Sequence, residues 1–287
     1  MGSRCTITLY AQAESQAAVA AGDAFKEIAQ IERALTDYDP SSEAMRVTQA
    51  PLGDWIRVSE ILWDVLDRSE QFHALSSGAF DPTVGAYTHL WRSSRNEDRI
   101  PTSTELEQAS QSVGFGNLDI DRHQNRLRVR VEGMILDFGG IGKGYAADKA
   151  LGILVDRGYP SAMVNLGGDL AVGDPPPNEN RGWVVEIQSG IQRHRQVRLA
   201  NCGIATSGDL ERFFVHQGIR YSHILDPRTG IGLTEQRAVS VIAEDATAAD
   251  ALASIVSVMG KSGADEMKRL FPTVEIELVI GESQSTE

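Results

Sequence analysis

Near the middle of the chain a carboxylate, four glycines and a lysine stand close together. Asp137 ends an apolar run, Gly139, Gly140, Gly142 and Gly144 follow, and Lys143 lies among them. Behind them Ala147, Leu151, Leu154 and Val155 recur at i, i+4, i+7 and i+8, one face of a helix. The order strand, glycine turn, helix aims backbone N–H groups and a helix N-terminus at an anion, with an ammonium beside them. No Ser or Thr follows the lysine, so this is not a Walker A loop, and the glycines are out of register for a dinucleotide fingerprint. Taken alone, the turn reads equally well as a tight connection, since glycine is the ordinary turn residue.

Asp250 and Ser254 stand four apart on a helix expected to be capped by Thr247, nearly opposite Leu252 and Met259. The pair reads either as a solvated face or as part of a hard-cation site, completed by a backbone carbonyl. Mg2+ takes oxygen ligands of this kind together with substrate phosphates. Because Asp250 lies off the apolar face, Asp250→Ala should lose Mg2+ dependence and most activity but keep the fold. His223 ends a predicted strand, with Asp226 just beyond it, a place for a general base; a lone histidine is also commonly structural. His73, His89, His123, His194 and His216 lack comparable neighbours and read as structural. Five glycine-rich polar segments, 76–85, 136–144, 165–169, 205–209 and 222–230, fall at strand ends. Several carry an Asp, and loops of this kind are expected to meet at one site.

The elements that must position these residues mix without a strict βα repeat, so the expected class is α+β. Arg4–Tyr10 alternates as a strand, a helix runs from Ala17 to Leu35, and Val58–Phe72 has helical spacing. Gly78, Pro82 and Gly85 mark 76–91 as a loop, and 92–103 as a polar surface excursion. Strands are expected at 118–120, 127–131, 134–138, 161–165, 182–188, 196–199, 213–215, 220–224, 238–243 and 274–280. Helices are expected from Thr247 to Met259 and from Gly263 to Leu270. No linker cuts the 287 residues, so one domain is expected.

A formal charge of −13 argues against nucleic acid as the main partner. No apolar run reaches membrane-spanning length. Cys5 and Cys202 make neither a disulfide framework nor a metal cluster. No signal-like stretch precedes the first apolar segment, so a cytoplasmic protein is the expectation for the chain as written. A periplasmic or membrane-anchored protein is the alternative if such a segment has been removed.

The segments SSGAFDPTVG, LDFGGIGKGYAADKA, MVNLGGDLAVGD, IATSGD, YSHILDPRTG and DATAADALAS together resemble the ApbE family, flavin transferases that use FAD to attach FMN to a Thr or Ser of a target protein. The resemblance implies a compact α+β domain with a T-fold-like core over residues 1–287. It also implies that Met1, Tyr38, Ala79, Phe80, Asp81, Asp137, Lys143, Thr206, Ser207, Gly208 and Ile224 contact FAD. Gly140, through its backbone oxygen, Asp250 and Ser254 would hold Mg2+, and His223 with Asp226 would activate the acceptor hydroxyl. The implied reaction is Mg2+-dependent transfer of FMN to an acceptor flavoprotein with release of AMP. FAD hydrolysis to FMN and AMP, or FAD binding without turnover, are the rival readings. Three positions depart from the family pattern: Ser254 stands for Thr, Ser3 for Thr, and Leu210 for Tyr.

Overall fold

The computed structural model describes residues 3–177, 179, 181–188, 194–208 and 213–281. The chain begins with β1 (Cys5–Leu9), α1 (Glu14–Leu35), α2 (Glu43–Thr48), β2 (Ile56–Arg57) and α3 (Glu60–Leu75). Next come α4 (Gly85–Asn96), α5 (Ser103–Ser110), β3 (Leu118–Asp121), β4 (Arg126–Val129) and α6 (Gly142–Asp156). Strands β5 (Ala162–Leu166), β6 (Asp169–Val172), β7 (Trp183–Gln188), β8 (His194–Leu199) and β9 (Cys202–Gly208) follow. The last part holds β10 (Phe213–His216), β11 (Ile219–Ser222), β12 (Leu225–Asp226), β13 (Ile231–Gly232), β14 (Arg237–Ala243), α7 (Ala246–Leu270) and β15 (Glu275–Ile280). The architecture is α+β, as expected. The described residues of 1–32, 141–208 and 237–281 form one compact unit, and those of 33–140 and 209–236 a second.

The first unit is built on an antiparallel sheet in the order β1-β5-β6-β9-β14-β15. Alternation along β5 buries Ala162, Val164 and Leu166, the periodicity of a strand with one face in the core. Helix α7 packs against β9 and β14 and against α6. Its first half is buried apart from the half-buried Ser254, with Asp250, Ala251, Leu252 and Ala253 all inside. The expectation of a solvated face at Asp250 is therefore corrected: a helix held between a sheet and another helix has little surface left for water. Small residues make this possible. A Cβ on Gly144 would lie 2.1 Å from the Ala246 carbonyl oxygen, and one on Gly203 would lie 2.0 Å from the Ala246 nitrogen. Gly260, at φ +66°, separates the two helical stretches that the spacing predicts. Helix α7 is capped by Asp245, which accepts from the Ala248 amide, and not by Thr247.

In the second unit, Ser42, Ser59 and Thr102 cap α2, α3 and α5, the last with a full capping box to Glu105. Leu62, Val65, Leu66 and Phe72 face inward from α3 at the predicted spacing. Strands β2, β4 and β3 form a small sheet, and β10–β11 and β12–β13 are hairpins. Gln217 and Gly218, both at positive φ, make the turn between β10 and β11.

Two expectations fail here. Segment 76–91 is a loop only as far as Val84, and α4 occupies the rest together with much of the supposed excursion. Gly85 begins that helix because a Cβ there would lie 2.4 Å from the Ile135 carbonyl oxygen. Residues 134–138 form no strand, only a parallel bridge between Ile135 and Val84, with the Asp137 amide given to the Pro82 carbonyl at 2.7 Å. Among the described residues no helix is long and apolar enough to cross a membrane.

Candidate functional site

Helix α6 starts at the glycine turn and passes α7 with backbone nearly touching backbone. The Gly144 amide donates to Asp250 Oδ2 at 3.1 Å. One turn along α6, Asp148 accepts from the Ala246 and Thr247 amides at 2.9 and 2.8 Å and from Thr247 Oγ1 at 2.5 Å. Each helix thus satisfies N–H groups at the start of the other, groups a helix leaves unpaired.

Lys143 lies in a close ion pair with Asp169, the first residue of β6, and 3.7 Å from Asp250 Oδ1. Both carboxylates are buried, with Asp169 1% and Asp250 4% exposed. Burial pushes the Asp169 carboxyl up to about 8, and the charge of Asp250 adds to the rise against the pull of Lys143. Burial opposes the Lys143 ammonium, but Asp250 and Asp169 raise it above its ordinary range. One ammonium does not balance two buried carboxylates, and a hard cation relieves that excess. Ser254, one turn beyond Asp250, is half-buried. No group of three or more His, Cys, Asp or Glu able to hold a metal occurs among the described residues. A cation beside Asp250 would therefore draw on hydroxyl and backbone oxygens as well, the donor set that Mg2+ prefers. At the end of β9, Thr206 Oγ1 lies 3.1 Å from Ser240 Oγ, and Ser207 Oγ accepts from Ser257 Oγ at 3.0 Å. Gly208 closes the strand opposite Ala238.

In the second unit Asp137 accepts from the Gly139 amide at 2.8 Å and from Thr88 Oγ1 at 2.9 Å, with Arg92 3.6 Å away. Arg92 also pairs with buried Asp37 and stacks 4.3 Å over the ring of Tyr38, which is 74% exposed. His89 Nε2 lies 3.0 Å from Asp37 Oδ2. Burial would raise the Asp37 carboxyl, but His89 and Arg92 together hold it below its ordinary range. Thr88, His89 and Arg92 all come from α4, so misreading that helix hid them. Tyr87 and Trp91, four apart, were the available signal.

Ala79, Phe80 and Asp81 are buried. Asp81 accepts from the Thr83 amide and hydroxyl at 2.8 and 2.6 Å, and His73 Nδ1 lies 3.5 Å from it. Burial raises the Asp81 carboxyl above its ordinary value despite these partners. His73 and His89 thus have carboxylate neighbours that spacing along the chain did not reveal. His223 is exposed between β11 and β12. The Ile224 amide beside it donates to Ser222 Oγ at 3.0 Å. Both Asp226 oxygens are held by Arg228, at 2.8 Å each. Burial acts upward on that carboxyl, and Arg228 brings it below its usual range. Gly140 is half-buried in the turn before α6. Met1 and Leu210 lie outside the described residues.

The glycine turn needs one correction. The Gly139 and Gly144 amides, expected to face an anion, are given to the chain's own Asp137 and Asp250.

The sequence model described as the ApbE family matches residues 1–276. The FAD:protein FMN transferase of Treponema pallidum is 29% identical over 96% of this chain and 81% of its own length. That of Chlamydia muridarum is 33% identical over 81% of this chain and 74% of its own length. Among solved structures, the ApbE protein of Thermotoga maritima aligns with a TM-score of 0.85 at 31% identity, over 97% of this chain and 91% of that one. The flavin transferase ApbE of Vibrio cholerae aligns with a TM-score of 0.86 at 25% identity, over 99% of this chain and 92% of that one.

Proposed function

The chain belongs to the ApbE family, and on that premise we propose that it is an FAD:protein FMN transferase dependent on Mg2+. The observation that carries the metal half of this reading is the buried Lys143–Asp169–Asp250 cluster, in which two carboxyl groups share one ammonium. Asp250, Ser254 and the Gly140 carbonyl would hold the Mg2+, which when bound withdraws charge from a diphosphate. Lys143 adds a positive charge for the bridging oxygens as they become negative. Asp137, Tyr38, Ala79, Phe80, Asp81, Thr206, Ser207, Gly208 and Ile224, with Met1, would bind FAD.

A Thr or Ser hydroxyl of an acceptor protein is a weak nucleophile until its proton leaves. His223 takes that proton. The hydroxyl oxygen forms a bond to the FMN phosphorus, the bond from that phosphorus to the bridging oxygen breaks, and AMP departs with the oxygen and the electron pair. The exposure of His223 suits a base whose partner is the side chain of another protein. Asp226, already clamped by Arg228, shapes the loop that carries His223.

The test combines the protein with FAD, Mg2+ and an acceptor domain carrying a Thr or Ser flavinylation site. A fluorescent acceptor band that survives denaturation, formed one for one with AMP, is the expected result. AMP release that is independent of acceptor would make the protein an FAD hydrolase. FAD binding with neither product would overturn both.

A further inference from the structure

Lys143 has two acidic neighbours, and they are not equivalent. Asp169 is in direct ion-pair contact with the ammonium, whereas Asp250 Oδ1 lies 3.7 Å away. The other Asp250 oxygen is occupied by the Gly144 amide. Asp169 is held firmly: it opens β6, paired with Leu166 across a turn in which Gly167 and Gly168 stand at φ +64° and +102°. The Gly168 amide ties that turn to Asn165 Oδ1 at 3.0 Å. The lysine stem runs alongside, so that a Cβ on Gly167 would lie 3.8 Å from Lys143 Cδ. A rigid sheet turn thus presents a buried counter-ion to the lysine, closer to the ammonium than Asp250 is.

An ammonium and a divalent cation compete for the same carboxylate oxygen, and burial strengthens that competition. From this geometry we infer that Asp169 is a positioning residue: it draws the Lys143 ammonium to itself and so leaves Asp250 Oδ1 open to the divalent cation. The inference rests on the metal reading given above. Without the Asp169 charge, the ammonium turns to Asp250 and blocks the cation. Without the ammonium as well, nothing stands at Asp250 and the cation returns.

The probe is Mn2+ alone, with no FAD, its free concentration read by electron paramagnetic resonance. The measurement is made at one buffered pH for every variant. Asp169→Asn should weaken Mn2+ binding by about tenfold or more, as the ammonium takes the oxygen. Adding Lys143→Met to that variant should restore binding to within about threefold of the unaltered protein, because the two sites are coupled. A double variant as weak as Asp169→Asn would make Asp169 a direct ligand and overturn the inference, as would an Asp169→Asn protein that binds normally.

Lys143→Met alone decides the matter if Asp169→Asn does not fold. Removing the ammonium leaves a second unpaired carboxylate beside the cation, so Mn2+ binding should tighten, and binding weaker than in the unaltered protein overturns the inference. FMN transfer by the unaltered protein is assayed in parallel. Transfer that proceeds while the variants show the wrong pattern sinks the role of Asp169 and leaves the proposed function standing.

Discussion

Asp250 on α7 accepts the backbone amide of Gly144 on α6 at 3.1 Å, so the residue proposed to hold the metal also ties two helices together. Asp250→Asn keeps the shape and removes a negative charge that repels Asp169. It should leave the metal-free protein at least as stable as before, while abolishing both stabilisation by Mg2+ and FMN transfer. Asp250→Ala should add a loss of about 1–3 kcal/mol, because a buried amide is left without an acceptor. Thermal unfolding of both variants with and without Mg2+ checks this. Equal loss of stability in the two variants would mean that charge, not the hydrogen bond, holds the helices.

Gly144→Ala tests how closely those helices approach. The added carbon would sit 2.1 Å from a backbone oxygen of Ala246, and backbone cannot turn aside as a flexible side chain can. The expected cost is about 1–3 kcal/mol or more, read as a lower denaturant midpoint. Ala in place of Gly152, where nothing lies within 4 Å of the added carbon, should be neutral or mildly stabilising.

What was legible in the sequence follows the range of the interaction. The helical face of Val58–Phe72 and the two-part last helix depend on neighbours within a few residues, and spacing revealed them. Lys143, Asp250 and Ser254 could be singled out by residue type and spacing alone. Asp169 could not, because its meaning lies in an ion pair 26 residues away in the chain. Helix α4 was missed because Gly85 looks like a breaker until Ile135 is seen pressing against it. The solvated-face reading of Asp250 failed for a similar reason, since helical periodicity shows which residues share a side but not how many sides are covered.

The Asp169 carboxyl, pushed up to about 8 from 3.8, makes the metal-free protein sensitive to pH. Between those values the folded state holds a proton that the unfolded chain has released. The contribution to stability is therefore complete below about pH 4 and is lost as pH rises through about 8. Other carboxylates also titrate, so the informative quantity is the difference between the unaltered protein and Asp169→Asn. That difference should shrink toward low pH and widen toward pH 8, with the unaltered protein the less stable of the two at the upper end. A difference independent of pH would show that Asp169 stays ionised throughout.

Asp148 grips the start of α7 through three hydrogen bonds. Asp148→Ala leaves the Ala246 and Thr247 amides without an acceptor, and its cost should be about 1–2 kcal/mol, the scale of a lost helix cap. Thr247→Val removes only the hydroxyl donor and should cost about 1 kcal/mol. Urea unfolding of the two single variants and the double variant separates the shared bond. A double variant whose loss equals the sum of the singles would mean that the two residues act independently.

Arg92 joins Tyr38, Asp37 and Asp137 in one arrangement: it stacks on the first, pairs with the second and lies 3.6 Å from the third. A guanidinium over an exposed ring contributes about 0.5–1 kcal/mol. If the open face of Tyr38 stacks on a ring of FAD, Arg92→Ala should raise the KM for FAD about threefold to tenfold, with kcat and the Mg2+ requirement little changed. Tyr38→Ala should do the same, and Arg92→Ala should add little in a chain that already lacks the ring, since the two side chains act as one surface. Steady-state kinetics across FAD concentrations supplies the comparison. A fall in kcat with unchanged KM would place Arg92 in the chemistry instead, and additive effects of the two substitutions would show that each meets FAD by itself.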